Sequence, residues 1–244
     1  MIKPTYLFIA AGLLSPLQAA VVSINFGSNQ TNGSLAPATA AGAYSAANWN
    51  NVSADGATLV DSTGASTSVT VNGASGFPGS WGNGKITANT GGEQLYKGYL
   101  DIQGTATSLV IGGLSATTIY QIYVYSNGEN NSNGLAQSRT GTFTLGGVST
   151  GITDGRTGEV ESTFNGSYNL VPAGTTAEGN YTIFTVTGAT SYTLTAQGTF
   201  AEPGRGDPYL RSPINGIQIV SVPEPTLGLL GGLAALVMLR VRRR

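Results

Sequence analysis

The chain has 244 residues, among them 36 glycines, and only 9% of its residues are charged. Because it contains no cysteine and no histidine, disulfides, a Ser-His-Asp triad, a thiolate nucleophile and Cys- or His-ligated zinc are excluded. Between Val21 and Ser221 eleven acidic and six basic residues give a formal charge of −5, which makes nucleic acid an unexpected partner.

The N-terminal residues have the layout of a secretory signal peptide. Lys3 is followed by an apolar stretch from Tyr6 to Leu14, and Pro16 precedes small residues at Ala19 and Ala20. This stretch is too short for a stable bilayer span, which needs about 20 residues. We expect a signal peptide over residues 1–19 with cleavage after Ala19, and Ala20 is the second choice.

Residues 20–221 alternate apolar and polar side chains in short runs separated by glycine, asparagine or serine. Period-two alternation gives each run a core face and a solvent face, as a β-strand requires. The clearest runs are 66–71, 107–111, 119–125, 141–145, 181–187, 191–196 and 217–220. No run has helical spacing, so the pattern predicts an all-β fold, a single β-sandwich or jelly roll, with two small β domains as the alternative.

Two tryptophans are the candidate ligand-binding residues. Trp49 and Trp81 are the only tryptophans, and both lie in turn-rich stretches beside asparagine. An aromatic face next to an amide suits stacking on a sugar ring and bonding of its hydroxyls. The alternative is that each indole fills one end of the sandwich core, because large aromatic residues are highly buried on average.

The strongest predicted strand, residues 119–125, is apolar or aromatic on both faces except at Gln121, which predicts a central strand. Residues 126–134 follow it and consist almost entirely of turn formers, which predicts an exposed loop. The loop offers oxygen ligands but one carboxylate, Glu129, while Asp154 and Asp207 lie in other glycine-rich turns. Calcium prefers several carboxylates at fixed spacing, so solvated turns are the favoured interpretation and no metal is expected from this pattern.

Two glutamates raise the question of catalysis. Glu159 and Glu161 are two residues apart and would project from one face of a strand. Paired carboxylates hydrolyse glycosides, but an exposed polar face explains the same pattern. No catalytic residue is assigned and we expect no enzyme, with an acidic-residue glycosidase as the least favoured alternative.

The last residues predict a membrane tail over 222–244. It opens with Val222, Pro223, Glu224 and Pro225, continues with an uncharged run to Leu239, and ends with Arg240, Val241, Arg242, Arg243 and Arg244. The apolar run should be helical in lipid, and the arginines favour the cytoplasmic side. The run is shorter than a permanent span, which suits an intermediate destined for cleavage, and an unprocessed anchor is the alternative.

This order of Pro-Glu-Pro, apolar helix and arginine cluster resembles the PEP-CTERM sorting signal of Gram-negative bacteria, of the planctomycete and verrucomicrobial type. The resemblance covers residues 222–244 and implies an exosortase-type enzyme as partner and a transient position in the inner membrane. It further implies a mature protein at the cell surface or outside the cell, where an exopolysaccharide matrix is a candidate partner.

Short segments of the middle domain resemble β-sandwiches of other tail-bearing exported proteins. They are Asn25-Phe26-Gly27, Asn48-Trp49-Asn50, Leu114 with 120–125, and 214–220. The last segment is also similar to the closing strand of galactose-binding-like jelly rolls, and this resemblance implies a structural calcium as the one candidate cofactor. These matches contain no diagnostic ligand residues, so they bear on fold more than on function.

The function favoured by the sequence is therefore that of an exported, non-enzymatic protein of the bacterial surface or extracellular matrix. A carbohydrate-binding module with an exopolysaccharide ligand is the alternative.

Overall fold

The computed structural model describes residues 19–53, 55–74, 80–84, 86–102, 105–128, 139–154, 164–198 and 212–223. Within these ranges the chain forms strands and one short helix. The strands are β1 (Val21–Asn25), β2 (Asn50–Asn51), β3 (Thr70–Asn72), β4 (Ser80–Gly82), β5 (Gly98–Leu100), β6 (Thr107–Gly112), β7 (Ile119–Tyr125), β8 (Arg139–Leu145), β9 (Val148–Asp154), β10 (Leu170–Val171), β11 (Thr176–Glu178), β12 (Tyr181–Val186), β13 (Tyr192–Gly198) and β14 (Gly216–Val222), and the helix is α1 (Gly91–Tyr96).

Two six-stranded sheets contain most of these strands. Sheet 1 has the order β10-β12-β7-β14-β1-β2, and sheet 2 has the order β11-β9-β8-β13-β6-β3, while β4 and β5 form a separate pair. The inner pairs of both sheets are antiparallel, whereas the short edge strands β2, β10 and β11 pair in parallel. The prediction of an all-β fold is confirmed, with sheets that are mixed.

The two sheets share one hydrophobic core. Ile122 and Val124 of β7 lie in the same buried cluster as Leu109 of β6 and Leu194 of β13. Side chains at alternate positions of a strand point to opposite faces, so this cluster is where the inner faces of the sheets meet. The arrangement is sandwich-like.

Much of the outer face of sheet 1 is also buried. Tyr123 and Tyr125, which alternate with Ile122 and Val124 along β7, belong to a second buried cluster. Apart from Ala19 and residues of sheet 1 itself, the members of this cluster come from three segments, 35–49, 86–96 and 164–168, which we call the cover. The predicted central position of residues 119–125 is confirmed, because β7 lies between β12 and β14 and contributes to both cores.

Two local features differ from what the sequence pattern indicated. The chain does contain a helix, α1, in which Thr90 accepts a hydrogen bond from the Glu93 amide and the Glu93 carboxylate accepts one from the Thr90 amide. This reciprocal capping box bonds amide groups that the first helical turn leaves without an intrahelical partner. The predicted exposed loop after β7 begins with the buried residues 126–128, and its remainder lies outside the described residues.

Candidate functional site

The first and last strands of the described chain lie side by side. β1 and β14 are antiparallel, with Val21 opposite Val220. The Ala20 amide donates to the Ser221 hydroxyl at 2.9 Å, and the Ser221 amide donates to the Ala20 carbonyl at 3.0 Å. The exposed Pro223 follows β14 directly. The chain therefore enters and leaves the sandwich at the same end of sheet 1, which is the place where both predicted targeting segments join it.

The opposite end of the same strand pair is held by asparagine and glycine. The Asn25 side chain accepts from the Gly27 amide at 3.0 Å, and the Asn215 amide nitrogen donates to the Gly98 carbonyl at 2.9 Å. A Cβ placed on Gly27 would lie 2.6 Å from the Gly98 Cα, so both residues must lack a side chain. The segments Asn25-Phe26-Gly27 and 214–220, which carry the resemblance to other sandwiches, thus meet at a structural junction.

A polar hub lies under the cover. The Gln218 carbonyl oxygen accepts from the Tyr125 hydroxyl, while its amide nitrogen donates to the Ser23 hydroxyl at 2.9 Å and to the Tyr44 carbonyl at 2.8 Å. The Tyr125 hydroxyl also accepts from the Ala43 amide at 2.8 Å. Through this uncharged hub the cover is bonded to β1, β7 and β14.

The hydroxyls of the hub cannot serve as bases near neutral pH. Burial raises the pKa of Tyr125 well above its ordinary value, and it raises the pKa of Tyr168, whose hydroxyl accepts from the Gly42 amide. Burial also raises the pKa of Tyr123 and Tyr181. A phenol with a raised pKa stays protonated near neutral pH, so its role here is to form hydrogen bonds and pack against its neighbours. The hub contains no carboxylate or imidazole that would take a proton from it.

Trp49 occupies the core and has no face available for stacking on a sugar. Its side chain is 4% exposed, its indole nitrogen donates to the Ala46 carbonyl at 2.9 Å, and its ring meets Tyr125 edge to face. The neighbouring amides are also bonded within the protein, Asn48 to the Ser62 carbonyl and Asn50 to β1 and Val60. Of the two interpretations of Trp49, the described geometry matches the core-filling one.

The other sequence-predicted residues are described in part or not at all. Trp81 lies in β4 opposite Tyr99, and its side chain lies outside the description. Asp154 ends β9, and its side chain is not described either. The predicted site and tail residues outside the described ranges are Glu129, Glu159, Glu161, Asp207, Glu224, Pro225, Arg240, Arg242, Arg243 and Arg244.

The described part of the chain holds no group of three or more acidic, histidine or cysteine residues placed to bind a metal ion. A search of the same residues finds no helix with the length and apolarity needed to cross a bilayer. The predicted apolar run at 226–239 lies outside the described residues.

No protein-family model matches the sequence, and no curated protein matches it significantly. Among solved structures, the crystal structure of the ANXUR2 extracellular domain from Arabidopsis thaliana is similar at 11% identity and a TM-score of 0.34. The match covers 59% of this chain and 36% of that one. A likeness of this degree supports no inference about function.

Proposed function

We propose that the chain is an exported, non-enzymatic protein of the bacterial surface or extracellular matrix, built as one jelly-roll-type sandwich between two targeting segments. A signal peptide at residues 1–19 directs export, and a PEP-CTERM tail at residues 222–244 holds the protein in the inner membrane by a transmembrane helix. An exosortase-type enzyme then processes the tail, and the mature protein reaches the surface, where exopolysaccharide is its matrix partner.

The pairing of β1 with β14 is the observation that supports this proposal. Ala20 and Ser221 are bonded to each other through two hydrogen bonds, so both targeting segments join the sandwich at one point. Because both ends of the domain lie at one place, the membrane can hold the protein by either targeting segment, or by both, without strain between distant parts of the fold. The two prolines of the tail then keep the chain extended as it leaves the domain, because neither strand nor helix interior accommodates them.

The proposal assigns no catalysis because the chain lacks the most common nucleophile–base pairs. It has no histidine or cysteine, and its buried tyrosines keep their protons. The hydroxyls and amides of the hub and of the Asn25–Asn215 junction bond to one another and to the backbone. These groups stabilise the fold, and the proposal assigns no cofactor.

The test follows the protein in a bacterium that carries an exosortase. We expect a chain ending at Val222 to be exported and recovered without membranes, whereas the full chain fractionates with the inner membrane when the exosortase gene is deleted. The truncation must keep Val222, because this residue pairs with Ile119 in sheet 1.

A second pair of variants separates charge from length in the tail. Replacing Arg240, Arg242, Arg243 and Arg244 by glutamine should impair retention and processing, since positive charge at the end of a span sets its orientation. Replacing the same four residues by lysine keeps the charge and should leave both unchanged. The proposal is wrong if the chain ending at Val222 still sediments with membranes.

A further inference from the structure

The two sheets differ in what lies on their outer faces. The outer face of sheet 1 is buried by the cover, whereas the outward side chains of sheet 2 in the described residues are largely exposed. Val110, at the middle of β6, is 41% exposed although it lies in an interior strand of its sheet. Among the described residues, the outer face of sheet 2 is therefore uncovered across its six strands.

This surface is built almost entirely from short uncharged side chains. Its outward residues, which we call the hydroxyl face, are Thr70, Asn72, Ser108, Val110, Thr142, Thr144, Ser149, Thr153, Thr176, Glu178, Thr193, Thr195 and Gln197. Among these described side chains the only charge is that of Glu178, on the edge strand β11. The described side chains of this face include no cation, which makes them unsuited to phosphate or anionic lipid, and their one peripheral carboxylate makes them unsuited to a polycation.

A row of four hydroxyls crosses the middle of the face. Ser108, Thr195, Thr144 and Ser149 are opposite one another on β6, β13, β8 and β9. The Ser108 and Thr195 oxygens are 3.1 Å apart, and the Thr144 and Ser149 oxygens are 2.7 Å apart. Neighbouring strands are about 4.8 Å apart, so the row extends for about 14 Å.

The hydrogen bonds within the row fix the hydroxyls and leave capacity for a ligand. In each pair one hydroxyl donates to the other, so the second keeps its own proton to donate outward, and both oxygens keep acceptor lone pairs. Because these short side chains are already held in place, binding through them costs little conformational entropy. The row therefore presents donors and acceptors at regular spacing, together with the methyl groups of its threonines.

We infer that the hydroxyl face binds an uncharged polysaccharide chain lying across the strands of sheet 2. Sugar hydroxyls are both donors and acceptors, like the row, and the C–H faces of a sugar ring match the threonine methyls and Val110. Individual contacts are weak, but a polymer engages many of them and many copies of the protein at once. The inference deepens the proposed surface or matrix role, on which it rests, and it names the class of polysaccharide.

The test uses the purified full-length chain in a mild non-ionic detergent and measures its depletion from solution by microcrystalline cellulose, a neutral glucan. The test variant replaces Ser108 and Ser149 by alanine and Thr144 and Thr195 by valine, which removes the row's hydroxyls with little change in shape. We expect its affinity to fall at least about tenfold, as the loss of several hydrogen bonds predicts.

The matched control compares two single threonine substitutions, one in the row and one on sheet 1. Thr195→Val should weaken binding measurably, whereas Thr185→Val, an exposed strand threonine on the outer side of sheet 1, should leave it unchanged. Alginate, an acidic polysaccharide, should bind much less than cellulose. Thermal melts of all variants establish that they are folded.

Three results overturn the inference: no binding of the parent to cellulose, equal binding of the parent and the four-residue variant, or a change in oligomeric state in that variant by size-exclusion chromatography. The last would assign the face to a second copy of the chain. The cellulose assay does not depend on membrane sorting. If the tail experiment fails while cellulose binding is intact, the proposed sorting route is rejected and polysaccharide binding by the hydroxyl face remains supported.

Discussion

Replacing Gln218 by methionine tests whether the cover depends on the polar hub. Methionine has nearly the same length and volume, so the substitution leaves little cavity and removes mainly the amide. Two buried hydroxyls, those of Tyr125 and Ser23, and the partly buried Tyr44 carbonyl then lose a partner. Gln218 is fully buried, so water does not reach the site to replace the amide.

The magnitude follows from the number of groups left without a partner. Each buried donor or acceptor without a partner costs about 1–3 kcal/mol, and the Tyr125 hydroxyl still accepts from Ala43. We therefore expect a loss of about 3–6 kcal/mol, which is a large share of the roughly 5–15 kcal/mol that stabilises a typical domain. For a chain of this size the melting temperature should fall by roughly 6 to 24 °C.

The assay is thermal and urea unfolding of residues 20–222, followed by circular dichroism. Tyr125→Phe provides the comparison, because it removes the donor to Gln218 and the acceptor of the Ala43 amide. The double variant should cost less than the sum of the two single variants, since the groups share one network. A Gln218→Met protein that melts within about 2 °C of the parent would refute the reasoning.

Two further predictions concern backbone packing and pH. Gly27→Ala should destabilise the domain by about 1–3 kcal/mol because its Cβ meets the Gly98 backbone, whereas Gly112→Ala, whose Cβ meets only the movable Thr70 hydroxyl, should cost clearly less in urea unfolding. Burial raises the pKa of Tyr125 and Tyr168 in the folded protein. The stability that these two tyrosines contribute is therefore fully present below their unfolded-state pKa, which is about 10, and is lost as the pH rises above it. Melting temperatures from pH 8 to 11 should show this fall, with a shallower slope in Tyr125→Phe, and identical slopes in the two proteins would contradict it.

The strands that the sequence predicted well are those with a long alternating pattern. β7 has seven residues, all apolar or aromatic except Gln121, and such a pattern on both faces indicates a strand between two cores. A period-two alternation of side chains, or a run of apolar ones, is a property of consecutive residues, so such strands can be predicted from a short stretch of sequence. The same holds for β6, β12, β13 and β14, which overlap the predicted runs.

The elements that were missed are short. Edge strands such as β2 and β10 have two residues each, which is too few for any period. α1 spans six residues and carries no complete apolar stripe, although the Thr90 and Glu93 spacing of its capping box was a readable signal. The same spacing occurs at Thr175 and Glu178, where strand β11 forms, so it does not identify a helix by itself.

The candidate site depended on contacts that no local pattern contains. Trp49 in its asparagine-rich stretch is compatible with sugar binding and with core filling, and only the three-dimensional partners distinguish the two. The Asn48 and Asn50 amides bond to the Ser62 carbonyl and to Val60, respectively, residues that are ten or more positions away along the chain. The pairing of Ala20 with Ser221 joins residues 201 positions apart, which no local pattern in the sequence indicates.

The scarcity of charge has a structural counterpart in the use of asparagine. The Asn51 side chain accepts from the Leu35 amide and donates to the Leu35 carbonyl. The Asn180 side chain accepts from the Asn169 amide and donates to the Ser167 carbonyl. These side chains thus bond irregular segments in the way that backbone groups bond paired strands. A side-chain amide that donates and accepts can satisfy a buried loop without the desolvation cost that an ion carries. Among the described residues, the outer face of sheet 2 has no cover like that on sheet 1, so these side chains are available to contact something outside the protein.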